Sequence, residues 1–360
     1  MNLDQLRERL TATDTKLIEL IAQRQQIVSE IGAHKVHHGI PTRDYEREKR
    51  VLKGAREAAS RFGLDGDLAE EVMTALIRSS LAHQEQSRVQ AASGGVGKTA
   101  VVIGGAGKMG AWFVDFLSSQ GFTVQVADPA ASGPEAVADW RTLEIGHDLV
   151  VVATPMDRAA EVLDELATRQ PPGLIIDLGS LKTPVKNALR KLAAAGCRVS
   201  SIHPMFGPDT QLLSGRHVIF IDAGDPDATR EARALFESTM AELVEMSLED
   251  HDRLIAYVLG LSHALNIAFF TALAGSGELV PRLKTMSSTT FDAQLDVASL
   301  VAHDNPHLYF EIQKLNEFGS TSLQAMKDAT EKLIDLVETG DEAGFVELMH
   351  AGRRYLEKNA

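Results

Sequence analysis

The stretch Ala100–Gly110, AVVIGGAGKMG, decides the fold of this chain. An apolar strand signal leads into a Gly-x-Gly-x-x-Gly turn, whose glycines are Gly105, Gly107 and Gly110, and a helical pattern follows. Glycines at this spacing let the backbone meet a pyrophosphate at the N-terminus of the next helix. The stretch therefore predicts a Rossmann-type domain that binds a dinucleotide. A tight glycine turn without a ligand is the alternative.

Two later strand signals extend this predicted site. The strand TVQVAD ends in Asp128, about twenty residues after the turn, where an acid bonds the ribose hydroxyls. Its charge would repel a 2′-phosphate, so NAD is favoured over NADP. Thr154 and Pro155 end another strand at the same sheet edge, where a purely structural strand end is the alternative. The cofactor-binding residues predicted here are Gly105, Gly107, Lys108, Met109, Gly110, Asp128, Thr154 and Pro155.

The chain of 360 residues is too long for one ordinary core, so two or three domains are expected. Residues 1–90 contain no strand-like run and are predicted to be helical. Residues 91–98 are small and Gly-rich, and we interpret them as a linker, because a P-loop would need a strand before it and a helix after it. Strands and helices alternate over 99–226, and 227–360 is predicted to be helical. The fold class is multidomain α and α/β.

The composition narrows the partners and the compartment. The net charge of −14 argues against nucleic acid or a membrane surface as a partner. Cys197 is the single cysteine, so no intrachain disulfide forms, which fits a reducing compartment. The N-terminus has no apolar signal core, and the apolar stretch 254–274 is interrupted by polar residues, so it is interpreted as a buried helix. We expect a cytoplasmic protein, and no metal site is predicted.

The first helical segment carries cations on an apolar seam. The seam residues recur every three or four positions, at Leu3, Leu6, Leu10, Leu17, Leu20, Ile27 and Ile31. Arg24 lies in this seam, and Lys35 follows eleven residues on, which places both on one face within ~20°. A buried cation is costly without a partner, so an anionic ligand is indicated. Arg7 lies ~100° off that face, so it could serve the pocket of a neighbouring protomer.

Further polar residues follow at helical spacing. Asp44 and Glu48 are one turn apart, with Arg47 beside them, and Ser80 and Gln84 form another one-turn pair. A solvated, charge-rich helical hairpin is the alternative interpretation of all these residues.

The fragments LRERL, AQR, AHK, RDYERE and SSLAHQ resemble the all-helical chorismate mutases over roughly residues 3–88. This resemblance implies that Arg24, Lys35 and Arg47 hold the carboxylates and ether oxygen of chorismate, and that Gln84 donates to the ether oxygen. Chorismate is a dianion that rearranges within one molecule, so fixed donors and a fixed conformation suffice for catalysis.

The same resemblance implies supporting roles for four more residues. Asp44, Glu48 and Ser80 would bond the hydroxyl group of the substrate and support the cations. Arg7 would reach across a homodimer.

The sequence SSIHPMFGP places His203 just after a predicted strand, at the sheet edge where ligands bind. Removal of hydride from an alcohol carbon needs a base for the hydroxyl proton, and histidine suits that role. Ser180 and Lys182 follow another strand end, in DLGSLK. A structural histidine is the alternative for His203.

From residue 99 onward the chain resembles the prephenate dehydrogenases, in GGAGKMG, DLGSLK, IHPMFGPD and HDRLIAYVLGLSHAL. With the mutase-like segment ahead, the order matches the bifunctional enzymes of tyrosine biosynthesis. The resemblance implies that His203 takes the 4-hydroxyl proton of prephenate, that NAD takes the hydride and that carbon dioxide leaves. Ser180 would orient His203 and the hydroxyl, Lys182 would lie near the cofactor or substrate, and His251 and His263 would line or brace the pocket. A core role is the alternative for those two histidines.

One departure from the family pattern concerns the substrate. Leu300 and Asp292 stand where relatives carry arginines, the first of which binds a substrate carboxylate. The substrate could therefore be 4-amino-4-deoxyprephenate, or the dehydrogenase half could be weak. Arg282, Lys284 and Arg216 are candidates for the missing donor. A catalytically silent NAD-sensing or scaffold protein is a further alternative.

Overall fold

Three helices form the N-terminal part of the computed structural model, which describes residues 2–134 and 136–358. They are α1 (Leu3–His37), α2 (Tyr45–Arg61) and α3 (Gly66–Ala92). Asn2, Asp44 and Asp65 are the N-cap residues of these helices, and each side chain accepts a backbone N–H from the first turn of its helix. Helix α3 packs against both α1 and α2.

The apolar seam of α1 faces outward in the single chain. All seven seam residues predicted from the sequence are between 46% and 62% exposed. Val28 is the one buried residue of the helix. A stripe of this length needs a partner surface that one chain does not supply.

An eight-stranded sheet follows. Its strands are β1 (Thr99–Ile103), β2 (Thr123–Ala127), β3 (Ala136–Val137), β4 (Leu149–Val152), β5 (Leu174–Asp177), β6 (Val199–Pro204), β7 (His217–Asp222) and β8 (Glu242–Ser247). Their order is β3-β2-β1-β4-β5-β6-β7-β8. The pairs from β3 to β6 are parallel, and β6 pairs antiparallel with β7. The parallel strands are almost wholly apolar, as strands covered on both faces must be.

Four helices accompany the sheet: α4 (Lys108–Ser119), α5 (Met156–Arg169), α6 (Lys186–Ala194) and α7 (Pro226–Ala234). The core joins the sheet to an aromatic cluster of Phe113, Phe116, Phe220 and Phe236, whose rings stack or meet edge to face. Val89 of α3 belongs to the same core, so the last turns of the N-terminal helices are built into the sheet domain.

The C-terminal part is helical: α8 (Leu248–Ile255), a π-helical segment (Ala256–Leu261), α9 (Ser262–Gly275), α10 (Val280–Lys284), α11 (Thr289–Ala302), α12 (Pro306–Leu315), α13 (Gly319–Thr339) and α14 (Glu342–Glu357). Among the described residues, one continuous stretch, Leu248–Gly275, is long and apolar enough to span a membrane by length and composition alone. Its His251 and Asp252 are fully buried, and it contacts α11, α12 and α13, but Leu254, Tyr257, Val258 and Leu265 are 45–54% exposed. The expectation of a buried helix over 254–274 is therefore wrong for the single chain, because one face of the stretch is left uncovered.

The chain forms two compact units. The first comprises residues 1–155, 165–178 and 192–245, and the second comprises 156–164, 179–191 and 246–360. The predicted fold class is confirmed: a helical N-terminal part, a Rossmann-type sheet and a helical C-terminal part.

The sheet extends beyond the sequence-based boundary at residue 226. Strand β8 completes it and ends at Ser247. Its exposed and half-buried residues alternate without a fully buried run, which is why its sequence gave little strand signal. The boundaries 1–90, 91–98, 99–226 and 227–360 otherwise stay a prediction about domains.

Candidate active sites

The glycine-rich turn after β1 is shaped so that only glycine fits. Gly104 has a φ of +86°, and a Cβ on it would lie 2.7 Å from the carbonyl oxygen of Ala153. A Cβ on Gly110 would lie 2.1 Å from the carbonyl oxygen of Gly104, and one on Gly105 would lie 2.8 Å from Val126. The close approach of turn, strand and helix brings the N-terminus of α4 to the end of β1. Gly107 caps that helix without a side chain, so its first N–H groups lie open to an anion.

Asp128 and Thr154 flank this turn at the carboxyl ends of β2 and β4. The carboxylate of Asp128 accepts the N–H of Ala106, at 3.3 Å, and the N–H of Ala130, at 2.8 Å. The hydroxyl oxygen of Thr154 is buried and has no hydrogen-bond partner among the described residues. A buried hydroxyl without a partner indicates a place where a ligand could bond. The residues present thus fit a dinucleotide.

The other predicted cofactor residues occupy distinct positions in the turn. Lys108 is exposed on the first turn of α4, and Met109 packs against the core. Pro155 is exposed and caps α5.

His203 lies near the carboxyl end of β6, at the same sheet edge as the glycine-rich turn. It is 3% exposed, and it faces Ile219 across the β6–β7 pair. The loop after it is connected to α4, because Trp112 donates its indole N–H to the carbonyl of Thr210, at 3.0 Å, and its ring packs at a tilt against that of Phe206, with the centroids 5.0 Å apart. The site of the first unit therefore combines an anion-binding helix terminus with a buried histidine.

In the second unit, the buried carboxylate of Asp252 organises the loop that carries Ser180 and Lys182. It accepts the backbone N–H of Lys182, at 2.8 Å, the N–H and hydroxyl of Thr183, at 2.5 Å each, and Nδ1 of His251, at 2.6 Å. Burial raises the pKa of Asp252, but these hydrogen bonds together outweigh that effect and lower it to about 2. Asp252 is therefore ionised at neutral pH, and its carboxylate fixes the loop through these hydrogen bonds.

Lys182 is fully buried, and its ammonium donates to the carbonyl of Gly179 at 2.6 Å. Ser180 is half-buried on the same loop. His251 is fully buried against Asp252. These contacts describe a rigid loop after β5, and they give His251 a bracing role.

His263 and Tyr309 form a second polar cluster in this unit. Their ring centroids are 4.1 Å apart, and the Tyr309 hydroxyl donates to Asp304 at 3.2 Å. Burial raises the pKa of Tyr309 to about 12, with the charge of Asp304 adding to the effect, and burial lowers the pKa of His263. Nδ1 of His263 has no hydrogen-bond partner in the described part of the chain. Burial thus favours the neutral form of His263, and its Nδ1 offers a site at which a ligand could bond.

Leu300 lies on α11 and is 75% exposed. Of the three cations named as substitutes for the expected arginine, Arg282 pairs with Glu278 at 3.0 Å, and Lys284 and Arg216 are exposed. None of these contacts identifies a carboxylate site within one chain.

In the N-terminal helices, Arg24 and Ser80 meet between α1 and α3. Arg24 donates through Nη1 to the hydroxyl of Ser80 and to the carbonyl of Leu76, at 3.1 Å. Burial lowers the pKa of Arg24, and none of its hydrogen-bond partners within the described residues is a carboxylate. A half-buried guanidinium held by neutral groups retains its attraction for an anion.

Gln84 lies one turn after Ser80 and meets α1 at Gly32. A Cβ on Gly32 would lie 3.1 Å from Cγ of Gln84, so glycine allows the two helices to approach here. Gln84 donates to the carbonyl of Val28 at 3.3 Å, and its buried Oε1 lacks a partner in the part of the chain that is described. Lys35 lies further along α1 and donates to the carbonyl of Thr42 at 2.7 Å. The structure thus places Arg24, Ser80 and Gln84 along one α1–α3 seam, whereas Lys35 contacts the turn between α1 and α2.

The remaining mutase-type residues are arranged differently. Glu48 receives two hydrogen bonds from Arg43, at 2.9 and 3.0 Å, so its ion-pair partner is Arg43 rather than Arg47. Asp44 caps α2 by accepting the N–H of Arg47, whose side chain is exposed. Arg7 is exposed and lies 3.6 Å from Asp4, far along α1 from the other cations.

Sequence reasoning missed Arg43, Glu85 and Arg88. Their hydrogen-bond partners lie up to 171 residues away in the sequence, so no local sequence pattern predicts these contacts. The described residues contain no group of three or more His, Cys, Asp or Glu that could hold a metal ion.

Three family models match the chain in sequence order. The chorismate mutase type II model matches residues 6–85. The nucleotide-binding domain model of prephenate dehydrogenase matches residues 119–245, and the model of the prephenate dehydrogenase dimerization domain matches residues 247–351.

One similar protein matches nearly the whole chain, and two others match about 70% of it. The T-protein of Enterobacter agglomerans is 27% identical over 95% of this chain and 89% of that protein. The 4-amino-4-deoxyprephenate dehydrogenase of Streptomyces pristinaespiralis is 31% identical over 69% of this chain and 88% of that protein. The structure of prephenate dehydrogenase from A. aeolicus in complex with hydroxyphenyl propionate and NAD+ covers 72% of this chain and 98% of its own, with a TM-score of 0.55 and 19% identity. That structural likeness concerns the fold.

Proposed function

The chain belongs to the prephenate dehydrogenase family and carries a type II chorismate mutase domain ahead of it, and we propose that it catalyses both reactions of tyrosine biosynthesis. It rearranges chorismate to prephenate and then converts prephenate to 4-hydroxyphenylpyruvate with loss of hydride and carbon dioxide. Two features in one chain support this proposal. The first is the pair of cations Arg24 and Lys35 on α1. The second is the glycine-rich turn Gly104–Gly110, here called the glycine cradle, with the buried His203 at the same edge of the sheet.

The mutase half works by holding a dianion in its folded conformation. Arg24 and Lys35 bind the carboxylates and the ether oxygen, because both project from the same seam and neither is neutralised by a carboxylate partner described here. Gln84 supplies a further amide group one turn from Ser80. Donors already in place stabilise the negative charge that develops on the breaking C–O bond. Arg47, Asp44 and Glu48 keep the substrate-binding roles that the family resemblance implies.

The dehydrogenase half joins the glycine cradle to His203. Gly105, Gly107 and Gly110 would admit the pyrophosphate to the N-terminus of α4, Asp128 would bond the ribose hydroxyls, and the buried hydroxyl of Thr154 would offer a further hydrogen bond to the cofactor. NAD, when bound, supplies the acceptor for the hydride. His203 accepts the proton of the 4-hydroxyl group, and burial protects that proton transfer from water. Ser180 and Lys182, on the loop that Asp252 holds, keep the roles that the family resemblance implies.

A homodimer completes the molecule. The exposed seam of α1 fits a second copy of the same helix, which would bring Arg7 to the partner's pocket. The C-terminal helices also expose apolar residues on α13 and α14, at Leu333, Ile334, Val337, Phe345, Val346 and Met349. The relatives are biosynthetic enzymes, which supports a cytoplasmic location and small-molecule rather than nucleic-acid or membrane partners.

A second candidate substrate is the amino analogue of prephenate. Two observations favour it: Leu300 replaces the arginine expected from the family pattern, and one relative at 31% identity is a 4-amino-4-deoxyprephenate dehydrogenase. That relative lacks a counterpart of much of this chain, which it matches over 69%.

The test of the proposal is an assay of each half with the purified full-length chain. Chorismate loss is followed without NAD, and NADH formation is followed with prephenate and with 4-amino-4-deoxyprephenate in parallel. Turnover of chorismate and of prephenate supports the bifunctional enzyme. A kcat/KM at least tenfold higher for the amino analogue would transfer the dehydrogenase half to the second candidate. No turnover of any of the three would contradict both.

A further inference from the structure

Helix α3 is fastened to the sheet domain by a buried carboxylate. Glu85 is 4% exposed, and one of its oxygens accepts the backbone N–H of Leu213 at 2.7 Å. Its other oxygen accepts the N–H of Met240. Leu213 lies in the segment after β6, and Met240 lies just before β8, so a single side chain joins two loops of the sheet to α3. A buried carboxylate is stable only when its lone pairs are bonded, as they are here.

Arg88, one turn further along α3, reaches three backbone or side-chain oxygens. It donates through Nε to the carbonyl of Ser238, through Nη2 to the carbonyl of Thr239, and through Nη1 to the hydroxyl of Thr42, at 3.3 Å. The first two acceptors belong to the sheet domain, and Thr42 belongs to the turn between α1 and α2. The fixed fork of the guanidinium makes this three-way contact directional.

The turn that Arg88 reaches is also the turn that holds Lys35. The ammonium of Lys35 donates to the carbonyl of Thr42 at 2.7 Å, and Thr42 is 9% exposed. Lys35 is thereby connected to Arg88 through one residue. A shift of Thr42 would carry the ammonium with it.

The next residue in the turn makes a parallel connection. Arg43 donates to the hydroxyl of Ser214 at 2.7 Å and forms a two-bond ion pair with Glu48. Ser214 lies in the same loop as Leu213. Arg43, Glu48, Glu85 and Ser214 all line one cleft of ≈ 1710 Å³ between the helices and this loop.

From these contacts we infer that Arg88 and Glu85 are positioning residues for the mutase reaction. They fasten the α1–α2 turn to the sheet domain, so the sheet sets the positions of Lys35 and Glu48, although no substrate contact is assigned to either residue. This inference depends on the proposed mutase activity of the α1–α3 seam. Its consequence is that a change in a loop of the dehydrogenase half alters the mutase reaction.

The test replaces Arg88 with methionine in the full-length chain, which keeps an unbranched side chain as far as the position of Nε and removes the hydrogen bonds. We expect the mutase kcat to fall at least tenfold, while the dehydrogenase kcat with prephenate stays within twofold of the unmodified protein. Arg61→Met is the control, because Arg61 lies in the last turn of α2, is exposed and does not line this cleft. It should leave both activities unchanged.

A purely structural role would have a different signature. If Arg88→Met lowered both activities together with the melting temperature, or left the mutase kcat within twofold, the inference would be wrong. If that variant does not fold, Thr42→Val removes the hydroxyl that Arg88 reaches and keeps the carbonyl that Lys35 uses, and it should lower the mutase kcat at least threefold without changing that of the dehydrogenase. An unchanged mutase kcat in Thr42→Val would then overturn the inference. An unmodified protein without mutase activity would instead contradict the proposed function itself.

Discussion

At the scale of single residues, the decisive feature is a set of charges placed where apolar groups would pack better. Arg24 is half-buried on the seam between α1 and α3, and burial lowers its pKa without a carboxylate within reach in the described chain. Such a cation destabilises the free protein, and we expect it to bind a dianion more strongly in return, since it is already partly desolvated.

Replacement of Arg24 or Lys35 tests this directly. Arg24→Ala or Lys35→Ala should lower the mutase kcat roughly a hundredfold, as expected for the loss of a donor to transition-state charge. The measurement is chorismate consumption at saturating substrate. Lys16→Ala on the same helix is the control, because Lys16 is exposed and should be silent. Wild-type turnover in either variant would remove that residue from the site.

His203 carries the corresponding prediction for the dehydrogenase. His203→Asn should lower its kcat by about a hundredfold or more, because general base catalysis contributes that much, while the mutase kcat is retained. His217 lies on the neighbouring strand and is exposed, so His217→Asn is the matched control. NADH formation with prephenate measures both variants. A dehydrogenase kcat in His203→Asn equal to that of His217→Asn would assign the base elsewhere.

At the scale of elements, the predicted dehydrogenase residues lie where strands end, whereas Arg24 and Ser80 lie in the middle of helices. The turn between β1 and α4 needs glycine because backbone approaches within 3 Å leave no room for a Cβ. The loop after β5 needs Asp252 because its backbone N–H groups have no other buried acceptor among the contacts described. Polar backbone groups at element ends must be bonded, and a ligand or a carboxylate does this.

Gly110→Ala tests the turn. The new Cβ would meet the carbonyl oxygen of Gly104 at 2.1 Å, so α4 must shift away from β1. We expect the KM for NAD to rise at least tenfold, measured at saturating prephenate. Gly94→Ala, in the linker, adds a Cβ with nothing within 4 Å and should leave the KM unchanged. An unaltered KM in Gly110→Ala would show that the dinucleotide does not use this turn.

Asp252 gives a prediction about acid stability. Its folded pKa of about 2 lies below the ordinary value of 3.8, so its stabilising effect is complete above pH 3.8 and is lost as the pH falls toward 2. Asp252→Asn should lower the free energy of unfolding by about 2 kcal/mol at neutral pH and by progressively less below pH 4. Urea unfolding at several pH values measures this difference. Asp296→Asn, at an exposed position of α11, is the control. A difference that stays constant from pH 7 to pH 2 would contradict the assigned pKa.

Secondary-structure elements with a local sequence pattern could be predicted, whereas contacts between distant segments could not. The strand–turn–helix order and the apolar parallel strands have local patterns, so the Rossmann-type sheet, its glycine turn and Asp128 could be predicted. The phase of Arg24 and Lys35 on α1 could also be predicted from helical geometry. Three features could not be predicted: the ion pair of Glu48 with Arg43, the hydrogen bonds of Glu85 and Arg88 to the sheet domain, and strand β8. These contacts depend on tertiary structure, and β8 is a half-exposed strand without a clear apolar pattern.

At the scale of the whole molecule, the apolar face of the longest helix, α1, is exposed to solvent in a single chain. The seam residues of α1 and the outer faces of α13 and α14 expose apolar side chains, which is typical of surfaces buried between copies. In a twofold symmetric dimer, the exposed apolar residues of α1 would pack against the same residues of the second copy. Arg7 of each copy would then lie beside Arg24 and Ser80 of the other copy.

Mixed dimers test this arrangement. Arg7→Ala and Arg24→Ala should each inactivate the mutase as pure homodimers. When the two variants are unfolded together and refolded, half of the dimers are mixed, and each mixed dimer regains one intact pocket of two. The mutase activity should recover to about a quarter of the wild-type value. No recovery, with mixed dimers verified by a tag on one variant, would mean that Arg7 serves its own chain or none.

The most direct test of the central claim is a single time course with purified protein, chorismate and NAD. The account predicts that chorismate disappears first, that NADH follows after a lag, and that the final NADH equals the chorismate consumed. His203→Asn should give the same chorismate loss with prephenate accumulating and almost no NADH. Chorismate left unconsumed, or prephenate accumulating in the unmodified protein without NADH, would contradict the claim that this one chain catalyses both steps.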